Sequence, residues 1–337
     1  MKPTALVICP GRGTYQKTEL GCLAPFYHSS TLQHIDQQRQ RLQLPSVSEL
    51  DQAARYLPAL HQQPANNAAL IFATGLCQFT ALADSGFDIV AVTGNSMGWY
   101  TSLSCAGVWS TDFATEVVST MASLTALAPG QQFIYPIINE RWQRDPQRYA
   151  AVQAQLAALA PDLSLSIQYG GYAVLAGTNA AVQQAMAALP LIDDRFPLLL
   201  PGHAAFHTSL MQQAAQTAIT KFGPACFTPP QLPLIDGCGR IWPAKACDLQ
   251  QLQHYTFDTQ VQQSYHFSQA LQVAVKEFAP DRLILLGPGQ NLGGAVAQSL
   301  IEIGWQGLAS KQDFIDLQAS TTPLVVEAAA LLSAEVR

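Results

Sequence analysis

The sequence predicts an α/β fold, with a large domain on a parallel central sheet and a small α+β subdomain inserted into it. Three observations carry this. Apolar strand-length runs alternate with helical patterns over residues 1–128. The rhythm changes at 129–200, where roughly four strands accompany two helices. Helix–strand alternation then resumes over 201–337. With 337 residues, 49% of them hydrophobic, the chain can bury a substantial core.

Thr4–Cys9 (TALVIC) reads as the first strand. Helical spacing follows over Glu19–Arg41, Ser48–Gln62 and Asn66–Ala83. Asp88–Thr93 (DIVAVT) is a buried strand, and a helix is expected from Ser96 to about Ala106. Ser110-Thr111-Asp112 supplies the cap of the next helix. In the insertion, Phe133–Asn139, Leu163–Tyr169, Tyr172–Ala176 and Arg195–Leu200 read as strands. Pro146–Leu159 and Ala180–Leu189 read as helices. The last third offers a helix from His207, a strand at Leu232–Ile235, a helix over Tyr265–Phe278, a strand at Arg282–Leu286 and a helix after Gly289.

Composition excludes several classes of function. Only 12% of residues are charged and the formal net charge is −6. No long basic stretch exists, so a nucleic-acid surface is not expected. No apolar run reaches the length of a membrane span. The opening MKPTALVICPGRG carries a short apolar run that reads as a buried strand rather than a signal peptide. Seven cysteines stand at 9, 22, 77, 105, 226, 238 and 247, without a C-x-x-C pair. An odd, dispersed set fits small core residues kept reduced, hence a cytoplasmic location. No His/Cys/Asp/Glu cluster has metal-ligand spacing, so no metal is expected.

Gly94-Asn95-Ser96-Met97-Gly98 fits Gly-x-Ser-x-Gly. Five residues alone mean little, but their setting adds weight. DIVAVTG is a buried strand and SMGWYTSLSCAG reads as a helix. Strand, tight turn and helix are the parts of a nucleophile elbow. Ser96 would stand at a helix N-terminus, where free N–H groups and the dipole favour negative charge. The Met97 N–H is then one oxyanion donor. The competing reading is an ordinary Gly-rich turn between strand and helix.

A serine nucleophile needs a base. Of the histidines at 28, 34, 61, 203, 207, 254 and 266, His207 has the best setting. It lies in LPGHAAFHTSLMQQ, where a Pro/Gly loop meets a helix. His203 is its local competitor. His28, His34, His61 and His254 read as surface residues, and His266 as a surface or structural one.

Four stretches together resemble a known family. CPGRGTYQ resembles the P-G-Q-G-S-Q opening of malonyl-CoA:acyl carrier protein transacylases and polyketide acyltransferase domains. VTGNSMGWYTSLSCAG resembles their G-H-S-x-G-E-Y-x-A-L-x-x-A-G. LPGHAAFHTSLM resembles L-x-V-S-x-x-F-H-S-x-L-M, and LILLGPGQNLGG their late strand and G-P-G-x-x-L. The order and spacing are family-like across nearly the whole chain. The resemblance implies a hydrolase-like large domain with a ferredoxin-like insertion. It implies that Ser96 and His207 form a dyad carrying an acyl group from acyl-CoA to the phosphopantetheine thiol of an acyl carrier protein, with no resident cofactor. It places the oxyanion between the N–H groups of Met97 and Arg12. A backbone carbonyl near Gln260 would orient the histidine.

The sequence departs from that family at the substrate. The arginine that pairs with a malonyl carboxylate aligns with Met121, and its helix holds no arginine. A buried carboxylate without a partner costs several kcal/mol, so Met121 favours an uncharged acyl group. Arg12 stands where glutamine is usual. Its side chain either brings a cation to the pocket, able to bind a carboxylate from a different direction and so keep malonyl open, or is a solvent-facing or salt-bridged arginine. Asn95 replaces histidine and Trp99 replaces glutamate beside the nucleophile. Both are expected to shape the acyl pocket, core filling being the other role open to Trp99. Arg141, Arg144 and Arg148 form either a solvated helix face or a docking patch for an acidic carrier. Transfer, hydrolysis of an acyl thioester on the same fold, and binding without catalysis stay open. An α/β-hydrolase esterase fits less well, because its histidine comes late in the chain.

Overall fold

The structure is a computed structural model and describes residues 2–334. Its strands are β1 (Thr4–Cys9), β2 (Asp88–Gly94), β3 (Gln131–Pro136), β4 (Leu163–Tyr169), β5 (Tyr172–Gly177), β6 (Leu198–Leu199), β7 (Leu234–Ile235), β8 (Ile241–Trp242), β9 (Tyr265–His266), β10 (Arg282–Leu285) and β11 (Val325–Glu327). They form two sheets. The larger has the order β11-β10-β1-β2-β7-β8 and is parallel except for β8 at its edge.

Residues Ala5–Cys9 of β1 have no solvent exposure. A strand covered on both faces reads as an unbroken apolar run, and that run is TALVIC. The chain leaves β1 for β2 on one side, while β10 lies on the other. The strand order therefore reverses at β1, and the loops at the carboxyl ends of β1 and β2 flank a crevice there.

The smaller sheet has the order β6-β3-β5-β4-β9. β3 and β5 alternate, as a period of two requires, while a register shift between Leu165 and Ile167 breaks the pattern in β4. Phe133, Tyr135 and Leu175 face a second core shared with the helices Pro146–Ala158 and Asn179–Ala188. Ile134, Ile167 and Val174 face the opposite way, toward the larger sheet. This sheet is not confined to residues 129–200. Tyr265–His266, expected to begin a helix, pairs in parallel with β4, and that helix starts only at Phe267.

Two long helical expectations break into pieces. Glu19–Arg41 becomes two short 3-10 turns and a helix over Ser30–Arg41, capped by Ser29. Gly21 has a φ of +88° there, which a helix does not allow. Asp51 ties the segment down. It accepts from the hydroxyls of Tyr15 and Tyr27 and the N–H groups of Gly21 and Leu23 at 2.6–3.1 Å. Pro58 starts a new turn and splits Ser48–Gln62. His61, expected on the surface, is fully buried within that turn. Its Nδ1 accepts from the Leu57 N–H, and its Nε2 lies 3.0 Å from the Leu50 carbonyl.

Arg39 is also fully buried and has no carboxylate partner among the described residues. Its guanidinium donates to the carbonyls of Pro45 (2.6 Å) and Ala65 (3.1 Å) and to Asn66 Oδ1 (2.7 Å). It thus joins its own helix to Pro64–Ala81. Arg39→Ala removes these hydrogen bonds and leaves the Pro45 carbonyl and Asn66 Oδ1 without that donor. It should cost about 3 kcal/mol, read as a lower urea midpoint in equilibrium unfolding.

Candidate active site

Ser96 sits in the turn between β2 and the helix Gly98–Cys105, with a φ of +54°. A non-glycine residue in that region is strained and is held only by its surroundings. The two glycines of the motif supply the hold. A Cβ on Gly94 would lie 2.5 Å from the Gly98 carbonyl carbon, and one on Gly98 would lie 2.3 Å from the Cys9 carbonyl oxygen. No side chain fits either gap. The Asn95 N–H donates to the Cys9 carbonyl at 3.0 Å, which sets the elbow against the end of β1. The helix begins two residues later than expected, leaving Met97 as its cap.

His207 meets Ser96. Its Nε2 lies 2.7 Å from Ser96 Oγ, across 111 residues of sequence. Its φ of +58° is also in the left-handed region. The loop bearing it is fixed to the smaller sheet, where Ser166 Oγ donates to the Phe206 carbonyl at 2.8 Å. Behind the ring, Nδ1 lies 2.6 Å from the Gln260 carbonyl. A carbonyl only accepts, so Nδ1 carries the proton and Nε2 is free to take one from Ser96. Burial pushes the imidazole down to about 4, against a smaller rise from the Gln260 hydrogen bond. The ring is therefore neutral at neutral pH.

Gln260 has its carbonyl free because its helix, Gln260–Gln262, ends within a turn. A π-helical turn, Tyr255–Thr259, precedes it, a distortion frequent at functional sites. The Gln260 side chain also braces the elbow, donating from Nε2 to the Ser96 carbonyl at 3.1 Å. Tyr265 does the same at Gly94, donating to its carbonyl at 2.6 Å. No sequence motif marked Tyr265. Its packing partner, His207 with ring centroids 5.5 Å apart, is distant in the chain.

Arg12 and Met97 lie beside Ser96 in one small apolar chamber. Neither of their N–H groups has an acceptor among the described residues. The chamber has a volume of about 60 Å³, where one water needs roughly 10–15 Å³ on the same measure. That is room for a short chain of a few heavy atoms. Met121, Val118, Ala122 and Thr125 of the helix Thr111–Ala126 form one wall. Outside it, a cleft of about 660 Å³ runs between the loop after β1 and the smaller sheet.

Three expectations change. Trp99 lines neither space. It is fully buried, its Nε1 donates to Thr256 Oγ1 at 3.0 Å, and its ring packs edge-on against Tyr255. Successive helical residues point about 100° apart, so Met97 and Tyr100 face the chamber while Trp99 turns into the core. Asn95 lines the outer cleft rather than the chamber. His203 is not a rival base. Its Nδ1 lies 3.0 Å from Gln132 Oε1, and burial with the nearby Arg12 charge pushes it down to about 3. Two of the three clustered arginines are paired, Arg144 with Glu302 and Arg148 with Asp145. Gly287-Pro288-Gly289 closes the crevice from the β10 side, where a Cβ on Gly289 would meet the Thr14 carbonyl at 2.6 Å. Among the described residues no His/Cys/Asp/Glu group has metal-binding geometry, and no helix is long and apolar enough to cross a membrane.

No protein-family model matches the chain. A solved malonyl-CoA:ACP transacylase from Synechocystis sp. PCC 6803 aligns with it at a TM-score of 0.76, covering 98% of this chain and 99% of that one at 18% identity. The chain has the fold of the malonyl-CoA:ACP transacylases. A second structure with the transacylase fold, PlMCAT:AntF, is described as a type II polyketide acyl-carrier protein in complex with its malonyl-transacylase. It aligns at a TM-score of 0.70 and 18% identity, over 88% of this chain and 93% of that one. In sequence, the non-reducing polyketide synthase nscA of Arthroderma otae is 26% identical over 244 residues, 69% of this chain. The match spans only 13% of that synthase.

Gly98→Ala should open the elbow, because a methyl group cannot occupy the carbonyl position of Cys9. Loss of more than about 90% of Ser96 labelling by a fluorophosphonate, with the far-ultraviolet circular dichroism retained, is the expected result.

Proposed function

We propose that the protein transfers an acyl group between thiols through an acyl-Ser96 intermediate, from acyl-CoA to the phosphopantetheine arm of an acyl carrier protein. The observation that carries this reading is the chain Ser96 Oγ, His207 Nε2, His207 Nδ1, Gln260 carbonyl, at 2.7 and 2.6 Å. It sits at the junction of a short-chain chamber and a long cleft. The transacylase fold, and the described partner of PlMCAT, support the same substrate class. We read residues 129–200 as a ferredoxin-like subdomain inserted into a hydrolase-like large domain formed by 1–128 and 201–337, with the pantetheine arm lying between them.

In this reaction Ser96 Oγ attacks the thioester carbonyl carbon as His207 Nε2 takes its proton. The carbonyl oxygen becomes an oxyanion facing the N–H groups of Arg12 and Met97. The carbon–sulfur bond breaks, and the departing thiolate takes the proton from His207. The carrier thiol then gives its proton to His207, attacks the acyl-serine, and returns Ser96 Oγ to the hydroxyl form with that proton. The Gln260 carbonyl, uncharged, steadies the transient imidazolium and fixes the ring.

Incubation with acyl-CoA should add one acyl mass to the protein and release free CoA. Ser96→Ala should abolish the adduct, and His207→Gln should slow its formation by about 10²–10⁴-fold. Adding holo carrier protein should move the mass to the carrier. Rapid loss of the adduct to water, with none on the carrier, would identify a hydrolase instead.

The acylation rate should also be insensitive to pH from neutrality down to about 5. The active form is the neutral imidazole, and His207 titrates at about 4. Activity is therefore lost as pH falls through that value. A kcat/KM profile with its acid limb near 6.5 would contradict this.

A further inference from the structure

Arg12 carries a charge that no carboxylate among the described residues neutralises. Its Nε and Nη1 are shut off from solvent and have no hydrogen-bond partner among the described residues. The guanidinium rests on the Phe206 ring, 4.9 Å from its centroid. Burial pushes its pKa down to about 10, which leaves it cationic at neutral pH. Neither the chamber nor the cleft is lined by an aspartate or glutamate, and Arg12 lines both. Its neighbour His203 is held neutral and supplies no counter-charge. Arg39 makes the contrast: it too is buried without an acid, yet its guanidinium is taken up by protein oxygens. A buried guanidinium with free donors matches a planar anion that two parallel N–H groups can grip.

We propose that Arg12 is the receptor for a carboxylate on the acyl group, so that the preferred donor is a short dicarboxylic acyl thioester. This rests on the acyl-transfer reading of Ser96. The loop after β1 then acts twice on one substrate. The Arg12 N–H faces the carbonyl oxygen under attack, and the Arg12 side chain holds the carboxylate at the other end of a short acyl chain. The facing wall of Met121, Val118 and Ala122 is uncharged and only bounds the chain's length. Met121 therefore rules out the helix as the seat of the charge without ruling out a charged substrate. The phosphates of CoA are the other anions within reach of the cleft. They are common to every acyl-CoA, so a comparison of acyl groups separates the two sources.

The test is the second-order rate of acyl-Ser96 formation, by intact mass, with malonyl-, acetyl- and butyryl-CoA on the wild type, Arg12→Gln and Arg12→Lys. Glutamine keeps the backbone N–H and removes the charge. Malonyl should react about 100-fold faster than acetyl in the wild type. Arg12→Gln should bring the malonyl and acetyl rates to within about 3-fold of each other, whatever its effect on both, and Arg12→Lys should fall between. Thermal melting of both variants checks the fold. A wild type that takes acetyl as fast as malonyl overturns the inference and leaves acyl transfer standing. So does an Arg12→Gln effect equal for all three donors, which would assign Arg12 to the phosphates or to packing. No adduct on Ser96 with any donor overturns both.

Discussion

The hydrogen bond from His207 Nδ1 to the Gln260 carbonyl is the contact on which the site depends. It fixes the tautomer, aims Nε2 at Ser96, and does so without a buried carboxylate. A carboxylate there would favour the imidazolium strongly and raise the ring's pKa. A carbonyl dipole favours it weakly, and burial wins, so the imidazole stays neutral. The rest of the arrangement keeps that carbonyl available. The helix bearing it stops early, a π turn sets its phase, and the Gln260 side chain reaches forward to the Ser96 carbonyl. One residue thus locates both His207 and Ser96.

Strain is concentrated where these groups meet. Ser96 and His207 both have left-handed backbones, and neither is a glycine. Each is held by neighbours that tolerate no displacement. Around Ser96 these are the abutting backbones of Gly94, Gly98 and Cys9. Around His207 they are Ser166 and Gln132 of the smaller sheet, both bonded to the preceding carbonyl. The two strained residues are thereby anchored to different sheets.

Much of this was legible in the chain. Gly94, Ser96 and Gly98 encode a turn whose geometry leaves few other residues possible, and His207 lies in a distinctive loop. Gln260 was legible only through family resemblance, because the group that acts is a backbone carbonyl that any residue owns. Trp99 was misplaced because adjacency in sequence is not adjacency on a helix. The long helix over Glu19–Arg41 was overread because helical spacing does not reveal a positive φ at Gly21, nor a distant Asp51 that collects its N–H groups. The missing acid partner of Arg12 was not legible at all, since a counter-charge can come from anywhere in the chain.

The strand Tyr265–His266 joins the smaller sheet, and the Tyr265 hydroxyl bonds the Gly94 carbonyl at the root of the elbow. The polypeptide therefore stitches the two sheets together at the same spot where Ser96 and His207 meet. A hinge there would pass through the turn that carries Ser96. Any swing that widened the gap between the sheets would also part Ser96 from His207.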